Sequence, residues 1–238
     1  MTQRKLGQLS ESDLLVHMSN FLQTRDFFEV ANSDTPKEEL ASGAWRLRGF
    51  ALDSVRSLLA EIEHVKVSAP FRHQVTPGGF RMSVAMTNCG PLGWVSDRTG
   101  YRYESRDPLS AQPWPSMPVV FAALARAAAR VAGFPHFDPD ACLINRYEPG
   151  ARLTLHQDKD ECDFRQPIVS VSLGLPAVFL FGGNTRTEPR RRIPLEHGDL
   201  VVWGGPARLR HHGVLPLKDG WHPVLGSQRL NLTFRRAR

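Results

Sequence analysis

Apolar residues recur along this chain with two periods. Near the start, Leu14, Leu15, Met18, Phe21 and Leu22 lie at helical spacing after Ser10 and Ser12, which suit an N-cap, and predict a helix over residues 10–28. Glu29 to Gly43 is polar and reads as a linker, so residues 1–43 form an N-terminal extension, partly helical. Val55, Leu58, Leu59 and Ile62 share one face of a helix predicted from Asp53 to His64. A further helix is predicted from Met117 to Ala132, with Ser116 as cap, Pro118 in the first turn and Gly133 as the stop. Between these two, Arg81 to Asn88 alternates with period two, as a strand does. Short β-like runs then follow: Cys142–Tyr147, Leu153–His156, Ile168–Leu173, Ala177–Phe181, Leu200–Trp203 and Arg229–Phe234. Helices first and many short strands later predict an α+β domain over residues 44–238. Its expected form is a double-stranded β-helix, or jelly roll, with helices packed on one side.

Composition agrees with a packed domain. Of 238 residues 41% are apolar and 23% charged, enough for a core and against global disorder. Eighteen prolines and nineteen glycines fit the many turns of such a fold. Cys89, Cys142 and Cys162 form no C-x-x-C pair, which argues against a disulfide framework or a structural zinc site and suits a reducing compartment. The opening residues are polar, and no apolar run approaches the ~20 residues of a membrane span. A soluble cytoplasmic protein is expected. The net charge of +6 favours a polyanionic partner. Arginines crowd the later half: Arg186, Arg190, Arg191, Arg192, Arg208, Arg210, Arg235, Arg236 and Arg238.

Candidate chemistry begins with three H-x-D triplets: His136-Phe-Asp138, His156-Gln-Asp158 and His197-Gly-Asp199. On a strand, positions i and i+2 face the same side and can meet one metal ion. Two histidines and one carboxylate, with positions left open, form the facial triad of Fe(II) oxygenases. The second histidine must return on a distant strand, and only His211 and His212 lie late enough in the chain. From His197 the return is too short for several intervening strands, and Pro139 after Asp138 suits a loop. His156 and Asp158 follow a β-like run and are the chosen pair.

Further constellations accompany this pair. In Arg229-Leu-Asn-Leu-Thr-Phe-Arg235, the residues Arg229, Asn231, Thr233 and Arg235 share one strand face and Leu230, Leu232 and Phe234 the other. Two arginines on one face suit a dicarboxylate, although at the backbone they stand ~20 Å apart. At a sheet edge the same strand would merely show its charges to water. Asn145 and Tyr147 are again i and i+2, and a buried amide and phenol need partners such as a carboxylate. Trp94, Tyr101 and Tyr103 lie among Arg98, Arg102 and Arg106 in a loop-like stretch from Gly90 to Arg106. Aromatics interleaved with arginine suit base stacking with phosphate contact.

These residues sit in runs that resemble the bacterial AlkB family of oxidative nucleic-acid dealkylases. The runs are Val75-Thr-Pro-Gly-Gly79, Met82-Ser-Val-Ala-Met-Thr-Asn-Cys-Gly90, Cys142-Leu-Ile-Asn-Arg-Tyr147, Leu155-His-Gln-Asp-Lys-Asp-Glu161, Pro167-Ile-Val-Ser-Val-Ser-Leu-Gly174, His197-Gly-Asp-Leu-Val-Val-Trp-Gly-Gly205 and Asn231-Leu-Thr-Phe-Arg235. The resemblance covers residue 44 to the end. It implies that His156, Asp158 and His212 bind Fe(II), with His212 chosen over His211 because it directly precedes Gly213. It implies that Asn145, Tyr147, Arg229, Asn231, Thr233 and Arg235 contact 2-oxoglutarate, and that Trp94, Tyr101, Asp160 and Arg186 contact the substrate nucleotide, with Tyr103 in the same aromatic group. Trp94 and His156 would sandwich the damaged base, and O2 is the second cosubstrate. One departure is His211, where the family pattern has an aromatic. The implied activity is removal of N-alkyl groups from 1-methyladenine- and 3-methylcytosine-type bases by a monomeric enzyme. Its substrate is DNA, single-stranded or with a flipped base, or RNA.

Overall fold

The structure is a computed structural model and describes residues 36–238; the helix expected over 10–28 lies outside them. The chain opens with the hairpin β1 (Lys37–Ala41) and β2 (Ala44–Leu47), closed by Ser42 and Gly43. Gly43 has φ +80, and a Cβ there would lie 2.5 Å from the Gly204 carbonyl oxygen, so only glycine fits this turn. The linker expected up to Gly43 therefore already contains a strand. Its polar sequence KEELA hid it, because only Leu40 is buried. A 3₁₀ turn at Leu52–Ser54 leads into α1 (Val55–Ser68), which runs four residues beyond the expected His64. Leu58, Ile62 and Val65 form its buried stripe. Then come β3 (Arg72–Val75), β4 (Arg81–Cys89), β5 (Gly93–Asp97) and β6 (Gly100–Glu104). The stretch expected to be loop-like is thus a hairpin, with Trp94 opposite Tyr103.

Next is α2 (Val119–Val131). Its N-cap is Pro118, and no side chain caps it, so Ser116 does not play the expected part. Gly133, at φ +95, closes it as expected. The remaining strands are β7 (Ala141–Tyr147), β8 (Leu153–His156), β9 (Ile168–Gly174), β10 (Ala177–Phe181), β11 (Arg191–Leu195), β12 (Leu200–Trp203), β13 (His212–Val214) and β14 (Arg229–Arg235).

Two antiparallel sheets form the barrel. One has eight strands in the order β1-β2-β12-β9-β14-β7-β4-β3, and the other four in the order β11-β10-β13-β8. From β7 to β14 the chain passes back and forth between the two sheets, with only β10 and β11 consecutive in one of them, as in a jelly roll. Phe179, Phe181, Trp203, Tyr147, Ile193, Leu195 and Val214 belong to the core cluster between them. The helices cover the outer face of the larger sheet, with α2 against β9 and β12 and α1 against β4. Phe121 of α2 meets Phe234 of β14 edge-on at 6.1 Å. Strand β14 therefore turns Leu230, Leu232 and Phe234 to the helices and its polar face inward. It lies between β7 and β9, not at an edge, and all seven of its residues are buried. No helix among the described residues is long and apolar enough to cross a membrane.

Candidate active site

The site begins where β8 and β13 run side by side. His156 ends β8, His212 begins β13, and the two are register partners. Though 56 positions apart in sequence, they lie on neighbouring strands of the smaller sheet. His156, Asp158 and His212 each offer a ligand atom, and these atoms lie within 4.8 Å of one another. Each imidazole Nε2 stands 3.7 Å from an Asp158 oxygen. The Nδ1 atoms lie 2.8 Å from the Thr154 carbonyl and 3.0 Å from the Arg210 carbonyl. Those carbonyls accept the Nδ1 protons and leave the Nε2 lone pairs facing Asp158. Burial, reinforced by His156, pushes the pKa of His212 down to about 3, so its ring is neutral. Burial alone would raise that of Asp158, but Arg235, His212 and His156 hold it well below the usual carboxylate range. Two imidazoles and a carboxylate, converging in one place, suit a divalent cation.

His211 and the other two H-x-D triplets stand outside the cluster. His211 Nδ1 is 3.3 Å from the Gly183 carbonyl, and His211 does not join the cluster. Asp138 is paired with Arg126. His197 accepts the Gly174 N–H, and Asp199 accepts the Gly49 and Glu196 N–H groups and binds Arg46. The His197 triplet thus ties the fold together, while the Asp138 pair lies on the surface.

The inward face of β14 supplies the second part. Between the sheets lies a cavity of about 820 Å³, lined by the metal-type cluster together with Asn145, Tyr147, Arg229, Asn231, Thr233 and Arg235. Asn231 is held by its neighbours: its amide donates to Ser170 Oγ and the Val171 carbonyl, and its Oδ1 accepts from Asn145 and Thr233. Arg229 Nε donates to Ser172 Oγ at 3.0 Å, and its guanidinium lies over the Tyr147 ring at 4.8 Å. Yet Tyr147 Oη, Arg229 Nη1 and Asn145 Oδ1 are buried without a hydrogen-bond partner. A phenol and a guanidinium left unpaired at one end of a cavity suit a carboxylate. At the other end Arg235 binds Asp158 Oδ2 through two nitrogens, at 2.7 and 3.0 Å. The spacing of the arginines thus spans the cavity, one beside the metal cluster and one remote from it.

The third part is the mouth. Trp94 and Tyr101 stack there at 5.6 Å with planes 13° apart. Asp160 accepts the Trp94 indole N–H at 2.9 Å. All three line the cavity, as does Arg186. Tyr103, expected in the same aromatic group, does not line it. It sits deeper on the same hairpin face, buried, and donates its hydroxyl to Glu161 at 2.7 Å.

Sequence reasoning missed Ser170, Ser172, Glu161 and Arg208. The serines had a signal: in Ile168-Val-Ser-Val-Ser172 they share one strand face, opposite Thr233 and Asn231. Glu161 and Arg208 lie outside any strand or repeating pattern.

A barrel with two histidines and a carboxylate inside, beside carboxylate-binding groups, defines a non-haem iron oxygenase that takes a 2-oxo acid. A family model described as the 2OG-Fe(II) oxygenase superfamily matches residues 43–235. The chain is 62% identical to the alpha-ketoglutarate-dependent dioxygenase AlkB of Salmonella typhimurium (strain LT2) over 84% of this chain and 93% of that one. It is 58% identical to the dioxygenase of the same name from Escherichia coli (strain K12), over 87% and 96%. Among solved structures, that of OsALKBH1 aligns with a TM-score of 0.74 and 30% identity, covering 84% of this chain and all of that one. The chain belongs to the AlkB family of Fe(II)- and 2-oxoglutarate-dependent dioxygenases.

Proposed function

We propose that this enzyme repairs nucleic acid by oxidative removal of N-alkyl groups from bases such as 1-methyladenine and 3-methylcytosine. The observation that carries this reading is one cavity holding the metal cluster inside and a stacked aromatic pair at its mouth. In this reading His156, Asp158 and His212 hold Fe(II), while Tyr147, Arg229 and Asn145 face the remote carboxylate of 2-oxoglutarate. When bound, Fe(II), O2 and 2-oxoglutarate hydroxylate the alkyl carbon, giving succinate and CO2, and the hydroxylated group leaves as formaldehyde.

The protein's own part is geometric and electrostatic. Trp94 offers a flat face to the base, opposite His156, and stacking of this kind contributes about 1–3 kcal/mol per base. Asp160 fixes the indole and sets an anion beside it, which favours a base made cationic by alkylation. Arg81, Arg152, Lys159 and Arg186 line the mouth and are exposed. None pairs with a carboxylate among the described residues, so their charge is available to phosphates. A base inside a duplex cannot reach the cluster, so the substrate is a single strand or a flipped nucleotide, in DNA or RNA.

The test is formaldehyde release from a 1-methyladenine oligonucleotide with Fe(II), 2-oxoglutarate and ascorbate. Wild type releases it and His156→Ala does not. Wild type that binds Fe(II) and 2-oxoglutarate yet releases nothing would refute this substrate.

A further inference from the structure

Behind the cluster lies a buried charge network that the reaction above does not use. Arg208 is 2% exposed and spends all three guanidinium nitrogens on the loop after β8. It donates to the Asp158 carbonyl at 2.7 Å, the Gln166 carbonyl at 2.9 Å and Glu161 Oε2 at 2.9 Å. Four residues later comes His212, so Arg208 joins the segment bearing His212 to the loop bearing Asp158. Glu161, 6% exposed, completes the network. Its Oε1 accepts from Tyr103 at 2.7 Å and stands 3.3 Å from Arg235 Nε. Two carboxylates, Asp158 and Glu161, thus balance two guanidiniums, Arg208 and Arg235.

The competition at Asp158 gives this arrangement a purpose. Arg235 binds Asp158 Oδ2, and a metal ion in the cluster would draw on the same carboxylate. An arginine with only Asp158 for a partner would resist giving it up, because a buried guanidinium without a counter-charge is very unfavourable. Glu161 offers Arg235 a second anion beside the first.

Resting on the reading of His156, Asp158 and His212 as metal ligands, we propose that Glu161, held by Arg208 and Tyr103, is a positioning residue that anchors Arg235 and so frees Asp158 for the metal. Tyr103 then acts on the metal centre through Glu161 and not on the nucleotide.

The test is titration of the metal-free protein with Co(II), read by the visible absorption of the bound ion, for wild type, Glu161→Gln and Tyr103→Phe. Glu161→Gln keeps the shape and removes the charge. It binds Co(II) about tenfold more weakly, the lower end for groups behind a metal ligand. Its KM for 2-oxoglutarate rises while its KM for the oligonucleotide stays within about twofold, a split that general loosening of the fold does not produce. Tyr103→Phe, which keeps the charge but releases one Glu161 oxygen, shows a smaller loss of about threefold. Unchanged Co(II) affinity in folded Glu161→Gln overturns the proposal. If that variant does not fold, unchanged affinity in Tyr103→Phe overturns it instead. Wild type that binds no Co(II) would defeat the ligand assignment itself, which is a different outcome.

Discussion

At the scale of single residues, the groups left unpaired decide what the cavity can bind. Arg229 is fully enclosed, and its one partnered nitrogen reaches Ser172. Charge-assisted hydrogen bonds contribute about 1.5–3 kcal/mol each, so Arg229→Met raises the KM for 2-oxoglutarate roughly 10- to 100-fold. Metal affinity in that variant stays near wild type, since Arg229 is remote from the cluster; steady-state kinetics with a parallel metal titration check both halves. A second residue governs acid stability. Burial would raise the pKa of Asp107, but the two-pronged bond from Arg72 and the Leu109 N–H outweigh it and hold it below the ordinary 3.8. Its contribution is therefore complete above that value and is lost as pH falls through the lower folded-state value. Wild type loses stability more steeply than Asp107→Asn as pH drops below about 4, and urea melts across pH 3–6 would show it. The convergence of His156, Asp158 and His212 was legible because positions i and i+2 at the end of a strand can face one point and a third group must return from a distant strand. Tyr101 lines the cavity and Tyr103 lies buried beneath it. They share a face, and periodicity reports the face but not the depth.

At the scale of elements, the apolar runs β10 and β12 and the alternating β8 matched the sequence to the residue. The hairpin β5–β6 did not, because Gly93, Asp97, Thr99 and Gly100 give it the composition of a loop. Strands β3, β11 and β13 are three to five residues long and carry too few positions to display a period. Strand β13 still matters most for the chemistry, because it sets His212 beside His156. The close approach of β8 depends on Gly213, where a Cβ would lie 2.8 Å from the Leu153 carbonyl oxygen and 3.2 Å from the Leu155 nitrogen. Both contacts are backbone, so neither can turn aside. Gly213→Ala therefore pushes the two strands apart at a cost of about 1–3 kcal/mol. The melting temperature falls by roughly 3–10 °C, and Co(II) binding weakens beyond what a substitution in α1 of equal thermal cost produces.

At the scale of the whole molecule, the sequence showed a basic protein but not where its charge could work. Many arginines turned out to be committed: Arg46 to Asp199 and Glu38, Arg72 to Asp107, Arg126 to Asp138, and Arg208 to Glu161. Only the fold reveals that unpaired cations collect at the cavity mouth. Binding of a single-stranded oligonucleotide should weaken with salt, and Arg186→Ala should lower the slope of log K against log salt by about 1, as one lost phosphate contact does. A slope equal to wild type would remove Arg186 from the contact set. The central place of β14 has one more effect. Its ladder with β7 and β9 is buried on both faces, so its amides open only when the large sheet opens. Arg229, Asn231, Thr233 and Arg235, which line the cavity, ride on that strand, so no partly unfolded form can keep the cavity intact. Loss of catalysis on heating and exchange of the β14 amides with deuterium should therefore report one and the same transition.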